Sequence, residues 1–198
     1  MKQFVGRYAL LTGIVLAGSK PMLAQVSSPI ERTNRAFDVI ATYNAMHSQT
    51  LGGGGFFMQG GGIELYKRVI TAWNVGAVAD ATESRAGSSA SSPGIDLLTI
   101  TLGPRITTSR RDGQLDFYMQ GLAGKAIGSH SIFPCASGIC THASGIAIDL
   151  GYGVDFRVRE GLMLRLVQGE YLHTRLPNGA SNAENNLRVS TGLVIKFH

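Results

Sequence analysis

Hydrophobic and polar residues alternate with a period of two over most of the chain after Arg35, and the cleanest run is Ile146–Phe156. There Ile146, Ile148, Leu150, Tyr152, Val154 and Phe156 interleave with Ala147, Asp149, Gly151, Gly153 and Asp155, so one face is apolar and the other small or acidic. The last segment repeats the arrangement, with Leu187, Val189, Thr191, Leu193, Ile195 and Phe197 set against Arg188, Ser190, Gly192, Val194 and Lys196. A helix cannot gather alternate residues on one face, whereas a strand does so by construction. Eight such segments are predicted, at 34–46, 55–66, 69–82, 95–107, 114–127, 144–157, 161–173 and 186–197. Most exceed the usual ~5–6 residues of a soluble strand and reach the ~9–11 that cross a bilayer at a tilt.

The spacing between segments alternates. Lys67-Arg68, Thr108–Gly113 and Val158–Glu160 make short connections, while His47–Gly54, Glu83–Gly94, Gly128–Ala143 and Thr174–Asn185 make long polar ones. An even number of strands with short turns on one side and long loops on the other is the organisation of outer-membrane barrels. The predicted fold is therefore all-β, an eight-stranded antiparallel up-and-down transmembrane β-barrel spanning 34–198. Phe37, Trp73, Phe117, Phe156 and Phe197 all fall at the short-turn ends with the parity of the apolar face, as an interfacial aromatic girdle requires. Tyr43, Phe57 and Tyr171 form a thinner girdle at the other end.

If the apolar face meets lipid, the polar face lines a lumen just wide enough for side chains to fill. Its predicted charges are Asp38, Glu64, Asp80, Asp116, Asp149 and Asp155, with Arg105, Arg188 and Lys196 as counter-ions, and Gly60, Gly62, Gly151, Gly153 and Gly192 leave them room. Buried charges need partners, because desolvation costs several kcal/mol per ion. The seventh segment breaks the parity rule: Leu162, Leu164 and Leu166 face outward and put Arg165 inside, yet Glu170 shares the leucines' parity. Either Glu170 faces lipid, at a cost of about a few kcal/mol near mid-bilayer, or, the favoured reading, a bulge around Val167–Gly169 switches the face and brings Arg165 and Glu170 into one luminal network.

Residues 1–24 have the three-part form of a secretory signal: Lys2 and Arg7, the apolar stretch Tyr8–Ala17, then small residues. Cleavage after Ala24 or near Ser19 both fit, and 25–33 is a short linker. The whole chain has 18 Lys+Arg against 13 Asp+Glu, a net of +5. Removing 1–24 discards Lys2, Arg7 and Lys20 and no acid, which leaves 15 bases against 13 acids and no basic tract for nucleic acid. Cys135 and Cys140 lie in one hydrophilic stretch, and in an oxidising compartment they are expected to form a local disulfide. Half of a metal site with His130 or His142 is the alternative, without the CxxC spacing of zinc clips.

The stretches Leu102-Gly-Pro-Arg105, Tyr118–Ala123, Leu150–Arg157, Leu164–Tyr171 and Asn185–Phe197 together resemble the bacterial outer-membrane β-barrel proteins of OmpA type. The resemblance covers 34–197 and is to the stand-alone members without a peptidoglycan-binding domain. It implies a monomer in outer-membrane lipid whose final aromatic is read by the barrel-assembly machinery; Phe197 fits that mark, although His198 follows it.

Some barrels of this size are lipid-modifying enzymes that use a histidine, a serine and an acid. The candidates are His130 beside Ser129 and Ser131, His142 beside Ser144, and Glu170 with His173. None has an acid placed by the sequence to orient the histidine, so no triad, cofactor or metal site is expected. A soluble ligand-binding barrel would invert the two faces, and a small ion channel would need an open lumen. The expected role is structural or interactive, through surface loops whose ligand the residues do not name.

Overall fold

The computed structural model describes residues 37–49, 55–87, 94–110, 113–136, 138–178 and 182–197. The predicted signal and linker lie outside the described residues. Eight strands follow one another: β1 (Phe37–Gln49), β2 (Gly55–Ile70), β3 (Val75–Ala86), β4 (Ile95–Arg110), β5 (Leu115–Cys135), β6 (Gly138–Arg159), β7 (Leu162–Thr174) and β8 (Glu184–Phe197). Each pairs antiparallel with the next, and β8 pairs back onto β1 from Phe37↔Phe197 to Ser48↔Asn186, which closes the barrel. Closure satisfies every edge, and in lipid that is the condition for a sheet to exist at all.

The alternation read from the sequence survives as the inside and outside of the wall. Ile63, Leu65, Ile100, Leu102, Ile146, Ile148, Leu150, Leu193 and Ile195 are exposed on the outer face. Phe37, Phe117, Phe156 and Phe197 lie on that face at the turn end, and the rings of Phe37 and Phe197 stack across the closing seam at 4.9 Å. Trp73 lies at the same end but in the turn, on a short 3-10 segment (Thr71–Trp73), where it is 75% exposed.

Two predicted connections are corrected. Lys67 and Arg68 are not a turn: β2 continues to Ile70, and the chain reverses over Thr71–Asn74, with Asn74 in the left-handed region at φ 52°. Asparagine accepts that conformation more readily than most residues. The predicted loop Gly128–Ala143 is mostly strand, because β5 and β6 run on as a two-stranded hairpin to Cys135↔Gly138. Apart from Phe133, which is buried, the described residues of this ribbon from 130 to 142 are exposed or half-exposed, so it needs no hydrophobic alternation and leaves none in the sequence.

The parity break in the seventh segment is met by a bulge. Arg165 pairs with Gly192 and Gln168 with Ser190, so β7 carries one more residue than β8 over that interval. Leu166 and Val167 consequently both face outward, while Arg165, Gln168 and Glu170 all face in. The irregularity therefore falls at Leu166–Val167, at the front edge of the predicted interval.

Candidate functional site

The inward positions form a belt of charge across the middle of the lumen. Glu64, from β2, receives hydrogen bonds from both Arg105 and Arg165. Arg165 also donates through Nε to Asp155 at 3.0 Å and through Nη1 to Gln168. The guanidinium groups of Arg105 and Arg165 lie over the Tyr118 ring, 4.3 and 4.7 Å from its centroid. Arg188 reaches Glu170 through Nε and Asp149 through Nη2, each at 2.6 Å. Two glutamines join the halves. Gln168 accepts from the Tyr118 hydroxyl at 2.8 Å and donates to Glu170 at 2.6 Å, while Gln120 accepts from Arg105 Nε at 2.9 Å and donates to Glu170 at 3.4 Å. Both polar ends of each amide are used, so the belt is one network rather than separate pairs.

The remaining predicted luminal charges lie around it. Asp80 is buried and receives the Thr82 hydroxyl at 3.1 and 3.0 Å. Lower down, Asp116 accepts from Ser109 at 2.6 Å and from Lys196 at 3.3 Å, and Asp38 is buried at that same end. Gly153 explains how such bulk fits: a Cβ there would come within 2.3 Å of the Tyr118 hydroxyl, so the ring occupies the space the glycine leaves.

The sequence reading expected a polar interior and missed its two apolar ends. Near the turns, Ile40, Tyr66, Val78, Met163 and Val194 pack together with Leu122. At the loop end, Met46, Met58, Leu97, Ala126, Ala147, Leu172 and Leu176 form a second buried cluster. Leu176 lies beyond the end of β7 and is wholly buried. The backbone N–H of Arg175 next to it donates to the Ile146 carbonyl at 2.9 Å. Phe133 joins this lid from the other side. Between Ser129↔His142 and Phe133↔Cys140 the β5 strand carries extra residues, with His130 at φ 57°, and the displacement brings Phe133 against Gly128 with 4% exposure. Inward apolar residues at strand ends look like any other interruption of a polar face, so only the closed topology reveals that they meet.

Beyond the lid stands the β5–β6 hairpin, tied by a disulfide between Cys135 and Cys140. At its foot, Nδ1 of His130 lies 3.0 Å from Asp96 Oδ2, an acid the sequence had not placed beside any of the candidate histidines. Asp96 also faces Arg85 at 3.7 Å, and Arg85 pairs with Glu83 at 2.7 Å, a contact that lifts the guanidinium above its already high ordinary value. His142 contacts Thr141 at 3.0 Å. Glu170 and His173 remain apart, because the bulge precedes both. Glu170 points into the lumen, whereas His173 faces outward and meets Asn185 at 2.8 Å. Among the described residues no group of three or more His, Cys, Asp or Glu is arranged to hold a metal ion.

A closed ring of eight antiparallel strands, apolar outside and charged within, is the architecture of the eight-stranded outer-membrane barrels. No protein-family model matches the chain, and no curated protein sequence does either. Among solved structures, Neisserial surface protein A (NspA) is similar at a TM-score of 0.66 and 15% identity, over 81% of this chain and 97% of that one. Ail, the attachment invasion locus protein of Yersinia pestis, is similar at 0.50 and 13% identity, over 80% of this chain and 97% of that one. At these identities the likeness establishes the fold.

Proposed function

We propose that this protein resides in the bacterial outer membrane as a surface protein, with the barrel as anchor and the loop end, above all the β5–β6 hairpin, as its working part. The observation that carries the reading is the contrast between a lumen crossed by a network of paired charges under an apolar lid and a hairpin whose two strands are the longest among the described residues. β5 and β6 are 21 and 22 residues long, against 12–16 for the other strands. A packed lumen favours this over the ion-channel reading, since conduction needs a continuous wet path. The His130–Asp96 pair has one requirement of a hydrolytic site, yet His130 is 76% exposed in its side chain, far from the dry setting in which such a pair gains catalytic strength.

Export by residues 1–24, insertion by the barrel-assembly machinery and a monomeric state belong to the same proposal. Membrane fractionation combined with gel mobility before and after boiling tests it, together with conductance across planar bilayers. The expected result is outer-membrane enrichment, a heat-dependent mobility shift and no stepwise current. Release without detergent would overturn the membrane reading, and reproducible conductance would overturn the anchor reading in favour of a channel.

A further inference from the structure

The outer wall is not uniformly ridged. From Ala77 to Ala81 the outward residues of β3 are all alanine (Ala77, Ala79 and Ala81), each flanked by a larger side chain, before Glu83 and Arg85 continue the same face toward the loops. Ala79 lies between Leu65 and Leu102, Ala81 between Ile63 and Ile100, and Ala77 between Lys67 and Pro104. The missing bulk leaves a groove of about 370 Å³, with Phe37, Leu65 and Leu102 as walls, Ala77 and Ala79 as floor and Lys67 in its lining toward the turn end. That volume falls within the ~300–1,000 Å³ of ordinary ligand clefts. The turn end of the barrel is basic: Lys67 and Arg68 on β2 and Arg110 on β4 are exposed on the groove's own strands, Arg157 and Arg159 are exposed on the more distant β6, and Glu160 is the exposed acid there among the described residues.

We propose that this groove seats one anionic phospholipid of the periplasmic leaflet, with an acyl chain along Ala77 and Ala79 and its phosphate at the Lys67 ammonium. The site rests on the membrane reading above, which turns the short connections toward the periplasm. Charge selects the occupant. A second barrel packed against the same groove would bring two basic rims together, whereas an anionic headgroup neutralises the rim.

Trp73 is the sole tryptophan and lies in the turn joining β2 to β3, so its fluorescence reports on this end of the wall. The full chain is reconstituted in phosphatidylcholine vesicles carrying a minor fraction of acyl-brominated phosphatidylglycerol or, in parallel, brominated phosphatidylcholine. The anionic lipid is expected to quench Trp73 more strongly. Lys67→Gln is expected to lower that preference about fivefold, the equivalent of ~1 kcal/mol for one base at an anionic surface. Ala79→Leu, which fills the floor, should reduce quenching by the anionic lipid, while Arg159→Gln should retain the preference. Equal quenching by both lipids overturns the site, as does a preference lost equally in Lys67→Gln and Arg159→Gln, which would mean diffuse attraction to the rim. The heat-dependent mobility shift of the same vesicles separates the two levels: insertion without preference sinks the site alone, and failure to insert sinks the membrane reading with it.

Discussion

β5 and β6 pass through two regions built by opposite means. In the lumen they contribute Tyr118, Gln120, Asp149 and Asp155 to a belt whose bonds join distant parts of the chain, such as Arg165 to Glu64 across 101 residues. Above the lid the same two strands pair only with each other, apart from His130 at the foot, which meets Asp96, and Phe133, which packs into the lid; their cross-link joins cysteines five residues apart. The belt ties the whole ring together, because each charge it buries depends on partners from other strands. The hairpin is local, and apart from Phe133 its described residues are exposed or half-exposed and carry few demands from the ring. Damage to the belt should therefore be felt everywhere, and damage to the hairpin should stay where it is made.

The largest test of that contrast is Arg165→Leu. It takes from both Glu64 and Asp155 the cation that they share, and the loss of one partner from a buried ion network costs about 3–5 kcal/mol. The expected result is a lower urea midpoint for the whole barrel, followed by gel mobility in vesicles. An unchanged midpoint would mean that water solvates the belt and that it does not unify the ring. Gly153→Val follows at about 3 kcal/mol, the upper part of the overpacking range, because it drives a side chain into the Tyr118 ring beneath both guanidinium groups. Gly153→Val combined with Tyr118→Ala should recover part of that loss. A double variant no better than the single one would show that the glycine serves the strand rather than the ring.

For the hairpin the expectation reverses. Cys135→Ser opens a short loop whose closure is worth about 2 kcal/mol on the chain-entropy account, and the loss should appear as faster proteolysis and amide exchange near Cys135 and Cys140. The urea midpoint of the barrel should stay where it was. A fall in that midpoint would mean that the hairpin, through Phe133 and the lid, is coupled to the ring after all.

These two regions also differ in how much of them could be read from residues. The membrane wall was legible because two media act on it at once, lipid on one side and lumen on the other, and Ile146–Phe156 records both in strict alternation. Even the bulge was legible, since without one Glu170 would face lipid with the leucines, at a cost of about a few kcal/mol near mid-bilayer. Lys67-Arg68 misled because exposed charge marks a turn in water and also marks a strand emerging from lipid. The hairpin faces a single medium and so carries no period. Leu176 and Asp96 were out of reach for another reason. Their roles as lid and as partner of His130 depend on which loops the closed ring brings together, and no local pattern encodes that.

The smallest expected effect lies at the boundary between the two regions. Glu184 opens β8 on the loop side of the apolar belt and is half-buried beside Thr174, whose hydroxyl donates to it at 3.3 Å. Burial raises its pKa above the ordinary 4.5, and the Thr174 hydrogen bond opposes that rise without cancelling it. A carboxyl that holds its proton more tightly folded than unfolded stabilises the folded state below its unfolded pKa, and that contribution is lost as pH rises through the folded value. The mouth should accordingly be better protected from amide exchange, after correction for intrinsic rates, near pH 4 than near pH 7. Glu184→Gln should remove that dependence while leaving the urea midpoint of the ring in place, which distinguishes it from Arg165→Leu. A dependence that persists in Glu184→Gln would assign the titration to another group at the mouth. A shift in the midpoint of the whole barrel would show that the mouth belongs energetically to the belt rather than to the loops.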